Sequence, residues 1–176
     1  MLKFIETIEA FNRLLGRSAA WCAIGMMLCQ VFSVVARYVF SYGIISVQEA
    51  VVYGHAFLFL LGAGFLLQTN EHVRVDIFYN MLSPRTRRWI DVVALSCFVL
   101  PVALVILWVG LPYAARSWAT LEGSRQAGGI PGIFILKSAI VVFAVTVALQ
   151  AVATLLRLLC RLPDAHWRSG TEARTH

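Results

Sequence analysis

The amino-acid sequence predicts an all-α integral membrane protein with four transmembrane helices, an N-terminal amphipathic interfacial helix and both termini in the cytoplasm. Hydrophobic residues make up 60% of the 176 residues and charged residues only 14%, whereas a soluble domain carries about 25% charged residues. The charged residues separate four uncharged stretches of 19 to 24 residues. A helix of about 20 residues crosses the hydrocarbon core, and no stretch shows the period-two alternation of a membrane β-barrel.

The distribution of charged and reactive residues excludes several classes of function. The net charge is +6, but the basic residues flank the apolar stretches, which indicates contact with anionic lipid headgroups and no nucleic-acid binding. The four cysteines lie within apolar stretches and form no C-x-x-C pair, so we expect neither a disulfide framework nor a zinc site. The sequence contains no catalytic triad, phosphate-binding glycine loop or carboxylate pair. We therefore expect no enzyme activity, no metal site and no cofactor.

The first part of the chain differs from the rest because its apolar residues recur with helical spacing. One helical face carries Phe4, Ile8, Phe11 and Leu15. This pattern predicts an amphipathic helix over residues 1–17 that lies at the cytoplasmic membrane surface and runs into the first span. A cleaved signal peptide is the alternative. It is disfavoured because its apolar region is only about 7–15 residues long and follows a basic start, whereas here acidic residues come first.

The distribution of Lys and Arg gives the orientation of the predicted membrane domain, residues 18–160. Eleven Lys and Arg lie in the N-terminal arm, between the second and third uncharged stretches, and from Arg157 onward, against four on the other side. Because cytoplasmic segments carry the excess of positive charge, both termini and the tail are expected in the cytoplasm. The spans are expected at about residues 18–40, 47–69, 84–111 and 132–158.

Local signals mark the beginning of two spans and a disturbance in one of them. Ser46 and Glu49 have the spacing of a capping box at the start of the second span, and Ser83 precedes a proline at the first position of the third. Within the third span we expect Pro101 to kink the helix and Pro112 to bend or end it.

Three charged residues near span ends are candidates for structural or partner contacts. Arg37 ends the first span and Glu49 begins the second after a short connection. They either form an ion pair or contact a partner subunit, or each extends separately to the headgroups. Lys137 lies six residues after Pro131, about 9 Å into the fourth span. It either extends outward to the headgroups or contacts another helix or subunit.

The histidines indicate helix packing and, in one segment, a possible docking element. His55 is the only histidine within a span, whereas a di-haem cytochrome needs histidines facing each other across helices, so we expect His55 to pack between helices. Directly after the second span, the segment containing His72, Arg74, Asp76 and Phe78 mixes charged and large apolar residues. It is either a short segment anchored at the membrane surface or a docking element for a partner.

Four short motifs follow one another at fixed places along the spans. They are Arg37-Tyr38-Val39-Phe40, Gln48-Glu49, Gly62-Ala63-Gly64 and His72-Val73-Arg74-Val75-Asp76. In their order and spacing, and in the four-span plan over roughly residues 15 to 160, they resemble the small membrane subunit of tripartite ATP-independent periplasmic (TRAP) transporters, the DctQ-like family. A departure lies at Val47-Gln48-Glu49, where the family usually has a tryptophan and a pair of glutamates.

The resemblance implies a role, partners and a location. A small non-catalytic subunit would assemble with a large multi-span subunit that carries the transport path. A soluble periplasmic substrate-binding protein would deliver a carboxylate or similar organic anion, and sodium would drive its uptake across a bacterial inner membrane. The candidate contacts with partners or within the fold are then Arg37, Glu49, His72, Arg74, Asp76 and Lys137.

Two other classes of function stay open from the residues alone. The first is a stand-alone four-helix membrane protein with redox or quinone chemistry, which an absorption spectrum with a haem band would reveal. The second is a small proton-coupled antiporter with Glu49 as its proton site. That function requires a carboxylate near the bilayer midplane, although Glu49 begins its span.

Overall fold

The computed structural model describes residues 2–69 and 83–160. No strand occurs in these two ranges. The third helix contains a π-helical turn (Leu95–Val99) between two α-helical parts, α3 (Pro84–Ala94) and α4 (Leu100–Ala119), and the three follow one another without a break. His72, Arg74, Asp76 and the tail at 161–176 lie outside the described residues. The elements are α1 (Leu2–Phe40), α2 (Ile45–Thr69), α3 (Pro84–Ala94), the π-helical turn (Leu95–Val99), α4 (Leu100–Ala119) and α5 (Ile133–Cys160).

Four helices of the described chain are long and apolar enough to cross a membrane. This confirms the predicted all-helical fold with four membrane-spanning helices. A helical fold suits the bilayer, because a helix satisfies all its backbone hydrogen bonds internally where no water is present. The candidate spans are Ile5–Phe40, Ile45–Thr69, Arg85–Ala119 and Ile133–Cys160.

The first helix is longer than a single crossing of the hydrocarbon core requires. α1 contains 39 residues without interruption, about 58 Å of helix against a core of roughly 30 Å. The expected interfacial helix is therefore the first part of α1, and its position on a membrane surface stays a prediction. Of its expected apolar stripe, Ile8 is buried, whereas Phe11 is 49% exposed. Glu9 and Asn12 are buried instead, because they bind polar groups of α5.

Pro101 and Pro112 both lie in the interior of the third helix. The backbone N–H of Leu100 donates to the carbonyl of Leu95, which makes a π-helical turn directly before Pro101. A proline ring clashes with the carbonyl four residues earlier, and the wider turn relieves this conflict. Pro112 lies within α4, which continues to Ala119. Pro112 therefore does not end the helix, because a packed membrane helix tolerates the loss of one hydrogen bond. The expected membrane span of residues 84–111 stays a prediction.

The last helix, α5, lies at the centre of the bundle and contacts α1, α2 and all three parts of the third helix. Small residues on a membrane helix let neighbouring backbones approach closely. At Gly64 of α2, an added Cβ atom would lie 2.9 Å from Oδ1 of Asn12 and 3.2 Å from Cβ of Thr146, so α1, α2 and α5 meet there. The buried residues of α5 are Ala139, Ala144, Thr146, Gln150, Ala151 and Ala153.

Aromatic side chains on the outside of the bundle mark two levels along the helices. Trp21 and Tyr38 on α1, and Trp89 and Trp108 on the third helix, are each at least 60% exposed. The two pairs are 17 and 19 residues apart, about 26 and 28 Å along a helix. These separations match the two interfacial belts of aromatic residues found on membrane proteins.

Candidate functional site: two polar clusters and an apolar groove

Polar contacts of the described residues concentrate at opposite ends of the bundle. The loop-end cluster lies where the connections 41–44 and 120–132 join the helices, and it contains Glu49, Ser117, Glu122, Ser124 and Lys137. The termini-end cluster lies near the beginning of α1 and the end of α5, and it contains Glu9, Asn12, Gln150 and Arg157.

In the loop-end cluster, Glu49 holds the long connection that precedes α5. Its Oε2 accepts a hydrogen bond of 2.6 Å from the backbone N–H of Ile130, and its Oε1 accepts one from the hydroxyl of Ser124. The backbone N–H of Ser124 in turn donates to the carbonyl of Ile130 at 3.2 Å. A Cβ atom at position 129 would lie 2.7 Å from Oε2 of Glu49. Only a glycine, which has no Cβ atom, therefore fits at position 129, where the connection passes the carboxylate of Glu49.

These contacts differ from the capping box expected at the start of α2. Both carboxylate oxygens of Glu49 bind the connection 120–132, 75 and 81 residues further along the chain, so they are not turned back to the backbone at Ser46. Arg37 is exposed on the last turn of α1. Among the contacts of the described ranges, the structure does not bring Arg37 to Glu49.

A second carboxylate of the same cluster, Glu122, binds the third helix and α5 together. Its Oε2 lies 2.5 Å from Nζ of Lys137 and accepts a hydrogen bond of 2.8 Å from the hydroxyl of Ser117. The Lys137 ammonium also lies 4.1 Å from the ring centre of Tyr113, a favourable cation–π distance. The hydrogen bonds from Lys137 and then Ser117 hold the pKa of Glu122 below its ordinary value. Lys137 is thus turned towards its own fold.

The termini-end cluster joins the first and last helices. Nη2 of Arg157 donates to Oε2 of Glu9 at 2.8 Å, and these side chains are only 13% and 8% exposed. One turn further along α1 and two turns back along α5, Nδ2 of Asn12 donates to Oε1 of Gln150 at 2.7 Å. Sequence reasoning missed both contacts, because the partners are 148 and 138 positions apart. The sequence signal that could have revealed these contacts was the presence of polar residues, such as Asn12 and Gln150, at helix positions that face other helices.

The histidine and cysteines do not form a further site in the part of the chain that the structure describes. His55 is exposed on α2, and its ring lies 4.7 Å from that of Phe59, so it stacks within its own helix. Among the described residues, no group of three His, Cys, Asp or Glu side chains could hold a metal ion. Four free cysteines are distributed over α1, the π turn and α5: Cys22, Cys29, Cys97 and Cys160.

An apolar groove runs along the side of the bundle between α2, the third helix and α5. It consists of two adjoining cavities of about 340 and 320 Å³ that share Val99, Phe143 and Val147. Of the described residues that line it, only Asp91 is charged, and it lies in the cavity nearer the beginning of the third helix. We call this feature the lateral groove.

Comparison with known proteins gives the family. Residues 26–161 match the model of the DctQ component of tripartite ATP-independent periplasmic transporters. A similar protein is the C4-dicarboxylate TRAP transporter small permease protein DctQ of Vibrio cholerae serotype O1 (strain ATCC 39315 / El Tor Inaba N16961), 30% identical over 95 residues. The match covers 54% of this chain and 38% of that protein, and no solved structure matches the chain. Because the family model covers well over half of the chain, the chain belongs to the DctQ family of TRAP transporter membrane components.

Proposed function

We propose that this chain is the small, non-catalytic membrane subunit of a sodium-driven TRAP transporter for organic acids. Its role is to anchor and widen the static part of the large multi-span subunit, so that the moving part has a fixed body to work against. Both termini lie in the cytoplasm, and the complex lies in a bacterial inner membrane.

The observation that carries this proposal is how the buried polar side chains are used. Each one contacts another group of the protein. Glu9, Asn12 and Gln150 join α1 to α5, Ser117 binds the connection 120–132, and Thr146 binds a carbonyl of its own helix. A transport path needs polar groups or unwound helices that face a cavity near the midplane. The lateral groove is almost entirely apolar along its length, so it offers no polar path across the midplane. The buried polar residues are Glu9, Asn12, Ser117, Thr146 and Gln150.

The proposed partner contacts divide between the two ends of the bundle. Glu49 and Lys137 act within the fold by shaping the connection 120–132, and exposed Arg37 lies at the same end of the bundle. This end faces the periplasmic substrate-binding protein in the proposed orientation. The segment with His72, Arg74 and Asp76 is proposed as a docking element for the large subunit at the cytoplasmic surface.

The substrate class rests on the relative from Vibrio cholerae, whose name specifies C4-dicarboxylates. An organic acid substrate for the present complex is an extension of that name. A function as a proton antiporter is disfavoured because both carboxylate oxygens of Glu49 accept hydrogen bonds from the connection 120–132.

Reconstitution in liposomes tests the proposal. With an inward sodium gradient, the binding protein and labelled succinate as a C4-dicarboxylate, this subunit alone should give no uptake and the large subunit alone little or none. The two subunits together should be active. Sodium-dependent accumulation by this chain alone would show that it carries a transport path and would overturn the proposed role.

A further inference from the structure

We propose that the lateral groove binds one anionic phospholipid of the cytoplasmic leaflet. Its acyl chain would lie along the third helix and α5, and its phosphate would bind Arg87 and Arg88. The proposal rests on the orientation given under the proposed function, since the beginning of the third helix must face the cytoplasm. It does not depend on transport or on the identity of the substrate.

The apolar part of the site is a continuous stripe on one face of the third helix. Asp91, Leu95, Val99, Ala103 and Ile106 line the groove at intervals of three or four residues, which places them on one helical face. From Asp91 to Ile106 the stripe measures about 22 Å along the helix, whereas one leaflet contributes roughly 15 Å of hydrocarbon. The groove is therefore long enough for an acyl chain that enters from one membrane surface.

The basic end of the site lies one helical turn beyond Asp91. Arg87 and Arg88 precede Asp91 by four and three residues and so continue the same face. Nη2 of Arg88 donates to the carbonyl of Leu159 at 3.3 Å, which brings its guanidinium across to α5 at this end of the bundle. Arg85 is exposed nearby in the same helical turn. Among the described residues of this part of the third helix, three arginines accompany one carboxylate, that of Asp91.

The level of this basic end matches the position of lipid phosphates. Trp89, within two residues of the arginines, is 60% exposed, as expected of an aromatic residue in the interfacial belt. Basic pockets between transmembrane helices on the cytoplasmic side bind anionic headgroups. An arginine fork also binds phosphate oxygens in bidentate geometry. Charge and depth therefore both fit a phospholipid headgroup.

A transmembrane helix of the partner subunit fits the groove less well than an acyl chain. Close helix packing in membranes uses small residues along the contact. The groove has three alanines, but larger side chains lie between them, among them Leu95, Val99, Ile106 and Phe143. A chain of methylene groups adapts to such a surface. The arginines at its end would also oppose the positive N-terminus of a helix that entered there.

Native mass spectrometry of the purified full chain tests the proposal. The protein is released from detergent after titration with dioleoyl phosphatidylglycerol or with dioleoyl phosphatidylcholine. We expect one phosphatidylglycerol to be retained at about tenfold lower lipid concentration than phosphatidylcholine, since two arginines contribute to the anionic headgroup alone. Equal retention of the two lipids would contradict the proposal.

Variants separate the headgroup contact from the acyl-chain contact. Arg87→Gln/Arg88→Gln should abolish the preference for phosphatidylglycerol, while the matched pair Arg116→Gln/Arg125→Gln at the loop end should keep it. Unchanged preference in the first pair would overturn the assignment of the phosphate. Melting temperatures measured in parallel identify any variant that fails to fold.

Ala94→Phe, which fills the groove, should reduce retention of both lipids at least severalfold, and Ala115→Phe, exposed on the same helix, should not. Ala94→Leu replaces Ala94→Phe if the latter does not fold. Full lipid retention in the folded groove variant would contradict the acyl-chain site. The alternative occupant is a helix of the large subunit. If the complex purifies without bound lipid and Ala94→Phe loses the large subunit, a helix occupies the groove and the proposal is overturned. None of these outcomes bears on the uptake experiment, so the two proposals fail separately.

Discussion

Nδ2 of Asn12 in α1 donates a hydrogen bond of 2.7 Å to Oε1 of Gln150 in α5, and both side chains are buried. The contact joins the first and last helices inside a bundle whose buried residues are mostly apolar. Nε2 of Gln150 also lies 3.5 Å from the hydroxyl of Thr154, and Asn12 packs against Gly64 of α2. A polar pair that finds its partner only in one register fixes the rotation of α1 and its position along α5.

Removing one member of this pair should destabilise the protein. Asn12→Leu leaves the Gln150 amide oxygen without its donor, and we expect the free energy of unfolding to fall by about 1–2 kcal/mol. Asn12→Leu/Gln150→Leu should cost less than the sum of the single changes, because no buried amide is then left unpaired. Unfolding in mixed micelles measures all three variants. Gln30→Leu, exposed on α1, is the control, and strictly additive effects would contradict the coupling.

The stability contributed by Glu122 should depend on pH in a defined direction. Its pKa is lowered from the ordinary value of 4.5, first by the hydrogen bond from Lys137 and then by that from Ser117. Folding therefore favours the charged form, and the contribution is complete above pH 4.5 and lost as the pH falls through the lower folded value. The melting-temperature difference between the wild type and Glu122→Gln should be constant at pH 6–7 and shrink below pH 4.5. A difference independent of pH, or one matched by exposed Glu6→Gln, would contradict this.

Loss of the Glu49 carboxylate should loosen the connection 120–132. Glu49→Ala removes the acceptors for Ile130 and Ser124, so trypsin should cleave after exposed Arg125 at least severalfold faster in the detergent-solubilised protein. Arg37→Gln is the matched control and should leave the cleavage rate unchanged.

The effects of Arg37→Gln and Glu49→Gln on the free energy of unfolding should add, since the structure does not bring the two side chains together. A coupling above about 0.5 kcal/mol would show that they interact.

The orientation of the chain is testable by cysteine labelling in a variant that lacks the four native cysteines. Ser41→Cys and Gln126→Cys lie in the connections at the loop end and should react with an impermeant maleimide in intact spheroplasts. Ser169→Cys in the tail should react only after the membrane is opened. Labelling of position 169 in intact cells would reverse the proposed topology.

Residues of the candidate site were predicted with uneven success, for a physical reason. Arg37, Glu49 and Lys137 were recognisable because charge near the end of an apolar stretch is costly and needs an explanation. Their partners were not recognisable, since Ser124 and Ile130 carry no signal that they bind Glu49. The capping box at Ser46 illustrates the difficulty. Its spacing is correct, but a distant backbone N–H competes for the same carboxylate.

The sequence by itself determined that the chain crosses a membrane four times as helices. That result depends on the length and hydrophobicity of single segments, and each helix satisfies its own backbone hydrogen bonds. Family membership was also readable from short motifs at fixed spacing. Only the tertiary structure decided which face of α1 is buried, that Pro112 lies inside a continuing helix, and that Asn12 meets Gln150. These features depend on contacts between helices far apart in the chain, and such contacts outweigh local preference wherever a buried polar group must find a partner.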